Sequence, residues 1–289
     1  MQGGWVCPED GAVLEERVAA LHCSVCGRGY EVANGVACFT ETGRLDEHQR
    51  FEQARRERLV EWNGDRRHRY EQRVEREAVV RRMRLGAGDR LLDAGCGAGH
   101  ITCALLASGA AVVALDFSRA RLEAVRARAP AGRRLELVAA DVTRPPLPPQ
   151  SLTAIVCTQV LEHIPGAGAR RSLLANFRRL LRPGGTLLLT VYNYSEAWRR
   201  RAAAREGMHN TGIFYHCYRS GELAAEMEGF EILELCGLVH LFPHTYRALP
   251  WLGWPGRALD HWAERRPRLS RRWGQLLLAH ARRPVRPRT

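Results

Sequence analysis

Residues 91–118 read LLDAGCGAGHITCALLASGAAVVALDFS, and the order of residue types within them decides how the middle of the chain folds. Leu91 to Ala94 is an apolar run broken by one acid, Gly95-Cys96-Gly97-Ala98-Gly99 is a turn with three glycines, and His100 onward carries apolar residues at helical spacing. A second apolar run, Ala111 to Leu115, ends in Asp116. Apolar runs that alternate with helical stretches are the signature of parallel strands joined by helices. A glycine turn between such a strand and its helix lets backbone amides approach a ligand without interference from Cβ atoms.

The alternation continues downstream. Strands are expected at Arg90 to Asp93, Ala111 to Asp116, Leu135 to Ala140, Ala154 to Cys157, Thr186 to Tyr192, Phe230 to Cys236 and Gln275 to Ala281. Helices are expected after Gly99, Ser118, Ala167 and Ser220, with Ser118 and Ser220 as N-caps. This pattern predicts an α/β fold with one doubly wound, seven-stranded sheet. Upstream, Phe51, Leu59, Val60, Tyr70, Val74 and Val79 recur at helical spacing in a stretch dense in charge, which predicts two helices broken near Asn63-Gly64. Three segments result: a small Cys- and Gly-rich domain over 1–42, a helical linker or lid over 43–84, and the α/β domain over 85–289 with a helical insertion at about 240–273.

Composition bounds the partners. The 289 residues carry a formal net charge of +13, which favours anionic partners. Every basic residue is Arg and none is Lys, so part of that charge reflects coding bias. From Arg247 to Arg288, however, eleven Arg face two acids, Asp260 and Glu264. Nine cysteines, an odd number set mostly within expected strands, argue against a disulfide scaffold, and Cys103, Cys157, Cys217 and Cys236 read as core thiols. The sequence holds neither a long uninterrupted apolar run nor a basic-then-apolar leader, so a soluble cytoplasmic protein is expected.

The glycine turn selects its ligand by spacing and charge. A dinucleotide loop, G-x-G-x-x-G, places glycine where this chain has His100. Asp116, at the end of the second strand, suits the two hydroxyls of a ribose. Asp93, before the loop, would repel a pyrophosphate but suits an ammonium group.

These residues resemble the class I S-adenosylmethionine-dependent methyltransferases, of the methyltransferase type 11 or ubiquinone-menaquinone methyltransferase-like kind. The resemblance rests on LLDAGCGAGH, ALDFS, LVAADVTRPPLPPQSLTAIVC, TQVLEHIP and LRPGGTLLLTVYN in that order, tight from Asp89 to Tyr192 and looser beyond. It implies a Rossmann-like fold and S-adenosyl-L-methionine as cofactor. By the same resemblance Gly95, Gly97 and Gly99 would line the methionine and ribose part, and Asp93 would orient the amino group. Asp116 would hold the ribose, Asp141 with the Val142 amide would recognise the adenine, and Gln159 would border the methionine end and the acceptor. Cys96 and Phe117 complete the expected cofactor-binding set. The chain has Leu152-Thr153 where the family often has an aspartate, a position with a structural role.

A sulfonium is already a strong electrophile, so alignment of the nucleophile supplies most of the catalysis, about 7–11 kcal/mol, and a general base adds roughly 10²- to 10⁴-fold. His163 in VLEHIP is the first candidate base, with a helix-capping or loop-packing role as its structural alternative. In quinone O-methyltransferases the similar E-x-x-E-H stretch binds a divalent metal. Gln159 stands at its first acid here, so no catalytic metal is expected. Tyr215 and His216 in GIFYHCYRSGEL, with Tyr218, form a second candidate cluster, or else a packed aromatic patch.

Cys23 and Cys26 form a C-x-x-C pair, whereas Cys7-Pro8-Glu9-Asp10 places a carboxylate at the second position of the other. The segment resembles the zinc-ribbon domain related to the activator subunits of tRNA and protein methyltransferases. That implies a structural Zn²⁺ on Cys7, Asp10, Cys23 and Cys26, with Cys38 as a substitute ligand, or a degenerate ribbon with free thiols. In the basic tail, Trp251, Trp254, Trp262 and Trp273 are interleaved with Arg, a pattern compatible with helices covering an acceptor pocket, with peripheral membrane contact, or with single-stranded RNA. The function expected is methyl transfer to a small-molecule or lipid-like acceptor. The alternatives are an RNA methyltransferase, which the missing N-P-P-Y-like tetrapeptide disfavours, and a non-catalytic cofactor-binding partner subunit.

Overall fold

Strands that are apolar at nearly every position must be covered on both faces, and a strand followed by a helix returns parallel to its predecessor. In this computed structural model, which describes residues 4–40, 47–58, 66–240 and 254–285, the chain forms two compact units. One comprises residues 1–62, 85–156 and 175–185, the other 63–84, 157–174 and 186–289.

The first unit contains β1 (Glu15–Arg17), β2 (Ala20–His22), β3 (Gly29–Ala33), β4 (Val36–Cys38), α1 (Glu47–Arg58), β5 (Arg90–Ala94), α3 (His100–Leu105), β6 (Ala111–Asp116), α4 (Arg119–Arg128), β7 (Leu135–Ala139) and most of β8 (Leu152–Thr158). Its strands lie in the order β1-β2-β3-β4-β7-β6-β5-β8. From β4 onward neighbours are parallel, with Asp93 opposite Ala114 and Asp116 opposite Ala139. That register puts the carboxyl ends of β5, β6 and β7 on one edge, where open α/β sheets bind ligands. Ser118 caps α4 as expected, its hydroxyl accepting from the Arg121 N–H at 3.3 Å. Leu122 and Val125 of α4 are buried against Ala114, Leu137 and Ala139.

The expected sheet is extended in this unit. The Cys- and Gly-rich N-terminal segment joins it: β4 pairs in parallel with β7, and Val36 is buried in the same cluster as Leu122 and Val125. β7 is apolar enough on its outer edge to accept another strand, and the short β3-β4 hairpin covers that edge.

The second unit contains α2 (Arg66–Arg82), the start of α5 (Ala167–Leu180), β9 (Leu181–Tyr192) from Thr186 onward, α6 (Glu196–Arg200), β10 (Glu206–Met208), β11 (Phe214–His216), α7 (Ser220–Glu226), β12 (Glu231–His240), α8 (Trp254–Glu264), α9 (Pro267–Trp273) and β13 (Gly274–Arg282). β13 lies antiparallel between β9 and β12, and β10 and β11 form a separate hairpin. All seven strands anticipated in the α/β region therefore form, with α3, α4, α5 and α7 where helices were expected. The fold is Rossmann-like. Ser220 is the first residue of α7 instead of its cap, because the Glu222 carboxylate accepts from the Arg219 N–H. The expected helical insertion appears as α8 and α9, and Trp251 lies outside the described residues. α9 touches β12 backbone to backbone: a Cβ on Gly237 would stand 1.9 Å from the Ser270 carbonyl oxygen. No helix among the described residues is long and apolar enough to cross a membrane.

Candidate cofactor site and acceptor-side groups

The glycine turn holds its shape through backbone conformations that side chains rarely adopt. Gly97 has φ +53° and Gly99 φ +86°, and a Cβ on Gly99 would lie 3.0 Å from Val125 Cγ2 of α4. The amides of Gly95 and Cys96 donate to the Leu115 carbonyl at 2.8 and 2.9 Å, which ties the turn to the end of β6. Cys96 is buried, and burial with the nearby charges of Asp116 and Asp93 pushes its thiol well above the usual range, so it is a neutral packing group.

Asp116 is buried and accepts from the Gly97 N–H at 3.0 Å and the Ser118 N–H at 2.9 Å, one on each oxygen. Each carboxylate oxygen can accept a second hydrogen bond, which suits the adjacent hydroxyls of a ribose. Asp93 is more deeply buried. Its Oδ2 accepts from the Thr102 hydroxyl at 2.5 Å, while Oδ1 is buried with no hydrogen-bond partner among the described residues. Burial, together with the charge of Asp116, pushes the Asp93 carboxyl up to about 6. An orphaned buried carboxylate oxygen calls for a donor, and a cationic one relieves the most desolvation cost. Asp141 lies beyond β7, with Oδ1 accepting from the Thr143 N–H at 2.8 Å. Phe117 and Val142 are half-buried on the loops after β6 and β7.

Three residues that sequence reasoning missed join this edge. Gln49 Nε2 donates to Asp141 Oδ2 at 3.0 Å, and Gln53 Nε2 donates to the Phe117 carbonyl at 2.9 Å. Glu57 accepts from the backbone N–H groups of Arg119 and Ala120 at 2.7 and 3.1 Å. Spaced by four along α1, they form one helical stripe fastened to the loops expected to hold the adenosine.

Residues 92–189 match the family described as methyltransferase domain. Demethylmenaquinone methyltransferase of Clavibacter sepedonicus is 36% identical over 118 residues, covering 41% of this chain and 47% of that protein. Ubiquinone biosynthesis O-methyltransferase of Xanthomonas oryzae pv. oryzae is 34% identical over 119 residues, covering 38% and 46%. The chain thus spans about half the length of these relatives. Among solved structures, the 1,6-didemethyltoxoflavin-N1-methyltransferase of Burkholderia thailandensis, with bound 1,6-didemethyltoxoflavin and S-adenosylhomocysteine, superposes with a TM-score of 0.55 at 17% identity over 92% of this chain and 100% of that one, a likeness of fold. Residues 92–189 are thus a methyltransferase domain, similar to that of a relative described as a probable S-adenosylmethionine-dependent methyltransferase. A domain of this kind takes S-adenosylmethionine as cofactor, and the orphaned Asp93 Oδ1 beside the glycine turn fits its ammonium group.

The remaining groups expected in the methyltransferase belong to the second unit. Gln159, at φ +53°, donates from its backbone N–H to the Thr190 carbonyl at 3.0 Å and from Nε2 to Glu75 Oε2 at 2.7 Å. Glu75, buried on α2, also accepts from the Thr190 hydroxyl, so it fixes the Gln159 side chain. His163 Nδ1 donates to the Phe214 carbonyl at 2.7 Å, which assigns the lone pair of the neutral ring to Nε2. Its ring meets Tyr192 edge-on at 5.7 Å and His209 at 6.0 Å. Tyr215 is half-buried on β11, 4.6 Å from His209 between ring centroids and 5.9 Å from Trp198.

His216 is different from its neighbours. It is buried, with Nδ1 2.8 Å from Glu206 Oε2 and Nε2 2.9 Å from Glu222 Oε1. This pairing makes the ring a clamp between β10 and α7 and leaves neither nitrogen for a substrate proton, which speaks against its expected role as a base. Tyr218 is likewise committed: its hydroxyl donates to Glu226 at 2.9 Å beside the buried Arg170. The alternating FYHCY pattern could not reveal these partners, because the acids come from residues on either side of the run.

Cys7, Asp10, Cys23 and Cys26 converge as expected, their ligand atoms all within 4.8 Å of one another. Cys7 Sγ is 3.6 Å from Cys26 Sγ, and Cys23 Sγ is 3.3 Å from Asp10 Oδ2. Cys38 Sγ instead donates to its own strand at the Val36 carbonyl. The Ala12 N–H holds the Asp10 carboxyl below its usual range. At Cys26 the Arg28 amide favours the thiolate, but lost hydration and the facing Cys23, Cys7 and Asp10 push the thiol up to about 12.

Proposed function

We propose that the protein transfers a methyl group from S-adenosylmethionine to a small-molecule or lipid-like acceptor. The observation that carries the reading is the Asp93 and Asp116 pair flanking the glycine turn, one carboxylate with an unpartnered buried oxygen and the other with both oxygens held by backbone amides. The bound cofactor supplies the electrophilic methyl group. Asp93 orients the ammonium end, Asp116 holds the ribose and Asp141 the adenine, with Gln49 and Gln53 of α1 keeping the last loops in place. At the acceptor, Gln159 is held in one orientation by Glu75, and His163 Nε2 takes a proton from the nucleophile. The acceptor class rests on the names of the relatives, which act in quinone biosynthesis.

The test is transfer of radiolabelled methyl from S-adenosylmethionine into a cell extract separated into RNA, protein, lipid and small-metabolite fractions. Label in lipid or metabolites is expected. Label confined to RNA or protein would overturn the acceptor class, and cofactor binding without label in any fraction would favour a non-catalytic partner subunit.

For the cysteine cluster, the donor set of three thiolates and one carboxylate fits tetrahedral zinc, whose ligand sulfurs stand about 3.8 Å apart. Zinc there would fasten the loops of the N-terminal hairpins, a structural task. One equivalent of zinc is expected in protein purified without chelators, falling to none in Cys23→Ser/Cys26→Ser. Metal-free wild-type protein would overturn the assignment.

A further inference from the structure

Helix α8 is inverted relative to helices that meet only water, and α9 continues its arginine-bearing face. The carboxylates of α8 face inward. Asp260 is buried, accepting from the Tyr70 hydroxyl and from His240, through the backbone N–H at 2.7 Å and Nδ1 at 2.6 Å. Glu264 is buried against Arg81 and Arg82. The tryptophans face outward, with Trp254 71% and Trp262 46% exposed. Pro255, Ala258, Arg265, Arg266, Pro267 and Arg268 are exposed beside them. Arg257 pairs with Glu77 at 3.1 Å and Arg272 lies 3.7 Å from Glu196, but Arg265, Arg266 and Arg268 pair with no carboxylate among the described residues. A water-facing helix hides its aromatic residues and exposes its acids.

We propose that this face docks on an anionic lipid surface. Unpaired arginines supply attraction to negative headgroups, and tryptophan seats at headgroup depth, where its ring is in apolar surroundings and its N–H stays wet. Single-stranded RNA needs stacking platforms along a groove. Here the Arg266 guanidinium already covers the Trp262 ring at 3.8 Å from its centroid, and the face is the outer surface of two short helices. The platform is firmly seated, because Ser270 of α9 is buried and accepts from the Gly237 N–H at 3.1 Å. Docking explains how a protein with no helix able to cross a membrane, among its described residues, would reach a lipid-like acceptor. To that extent its purpose rests on the proposed methyl transfer, although the docking itself does not.

The experiment is sedimentation of the full chain with vesicles of phosphatidylcholine alone and of phosphatidylcholine mixed with phosphatidylglycerol, with tryptophan emission recorded in parallel. Pelleting and a blue shift are expected only with the mixed vesicles, weakening as salt rises. Trp254→Ala/Trp262→Ala and Arg265→Glu/Arg266→Glu/Arg268→Glu are each expected to reduce partitioning about tenfold or more. S-Adenosylhomocysteine affinity, measured on the same variants, should stay at the wild-type value, which shows that they are folded. Failure of wild-type cofactor binding would strike the proposed function and leave the docking result standing. Absence of pelleting, equal pelleting with neutral vesicles, insensitivity to both sets of substitutions, or displacement from mixed vesicles by single-stranded RNA would overturn the proposal.

Discussion

The edge formed by β5, β6 and β7 in the first unit and the histidine and tyrosine cluster of the second carry similar polar side chains, yet they spend them differently. At the first, among the described residues, Asp93 keeps a buried oxygen without a hydrogen-bond partner, and Asp116 accepts from two backbone amides, Gly97 on the glycine turn and Ser118 beyond its own strand. In the second, carboxylates and rings satisfy one another: His216 between Glu206 and Glu222, Tyr218 on Glu226, Gln159 on Glu75. A site for a fixed cofactor keeps polar capacity in reserve, whereas a cluster whose groups are mutually paired chiefly holds its own hairpin and helices together. His163, whose Nδ1 is held on the Phe214 carbonyl, is the member of the second set for which a chemical role is proposed.

The sharpest way to break that contrast is to remove the two histidines separately. His163→Ala is expected to lower kcat by roughly 10²- to 10⁴-fold with cofactor affinity unchanged, while His216→Ala is expected to lower thermal stability more than it lowers kcat at temperatures where the protein stays folded. Equal kinetic losses from both would erase the distinction. Asp116→Ala is expected to weaken S-adenosylhomocysteine roughly 100-fold in calorimetric titration, since two hydrogen bonds to a buried charge are lost.

Smaller effects follow from packing and charge. Gly237→Ala must displace the Ser270 carbonyl and is expected to cost about 1–3 kcal/mol in denaturant unfolding, with cofactor affinity preserved. Asp93 gives a pH dependence with a definite sign. Because burial, aided by Asp116, raises its carboxyl to about 6, this group favours the ligand-free fold most below its ordinary value near 4 and loses that contribution as pH rises to about 6. Cofactor binding requires the ionised form, so affinity is expected to fall by up to about tenfold per unit below pH 6 and to level off above it. An Asp93→Asn variant should show a weak, flat profile. Gln49→Ala is expected to weaken the cofactor about threefold, the value of one hydrogen bond at a loop.

The candidate cofactor edge was legible in the sequence because its glycines and acids stand at fixed distances from strand ends. Gly97 and Gly99 are required by backbone conformation, and Asp93 and Asp116 are acids inside otherwise apolar strands. The parallel pairing of β4 with β7 was not legible, since Val36-Ala37-Cys38 meets Leu137-Val138-Ala139 across about a hundred residues and nothing in either triplet names the other. The stripe of Gln49, Gln53 and Glu57 was hidden for a related reason: polar residues spaced by four on a charged helix read as a solvated face until their partners are seen. Three-residue strands such as β10 and β11 are too short for any periodicity, so the sequence displays their aromatic residues and not their hairpin.

The central claim is that the acids at the ends of β5 and β6 hold the ammonium and ribose groups of S-adenosylmethionine. It is tested most directly by calorimetric titration of S-adenosylhomocysteine into the wild-type chain and into Asp93→Asn and Asp116→Ala, at pH 5 and pH 8. One-to-one binding at pH 8 is expected, weaker at pH 5 in the wild type, pH-independent in Asp93→Asn and nearly lost in Asp116→Ala. Wild-type affinity in both variants, or no binding to the wild type at either pH, would contradict it.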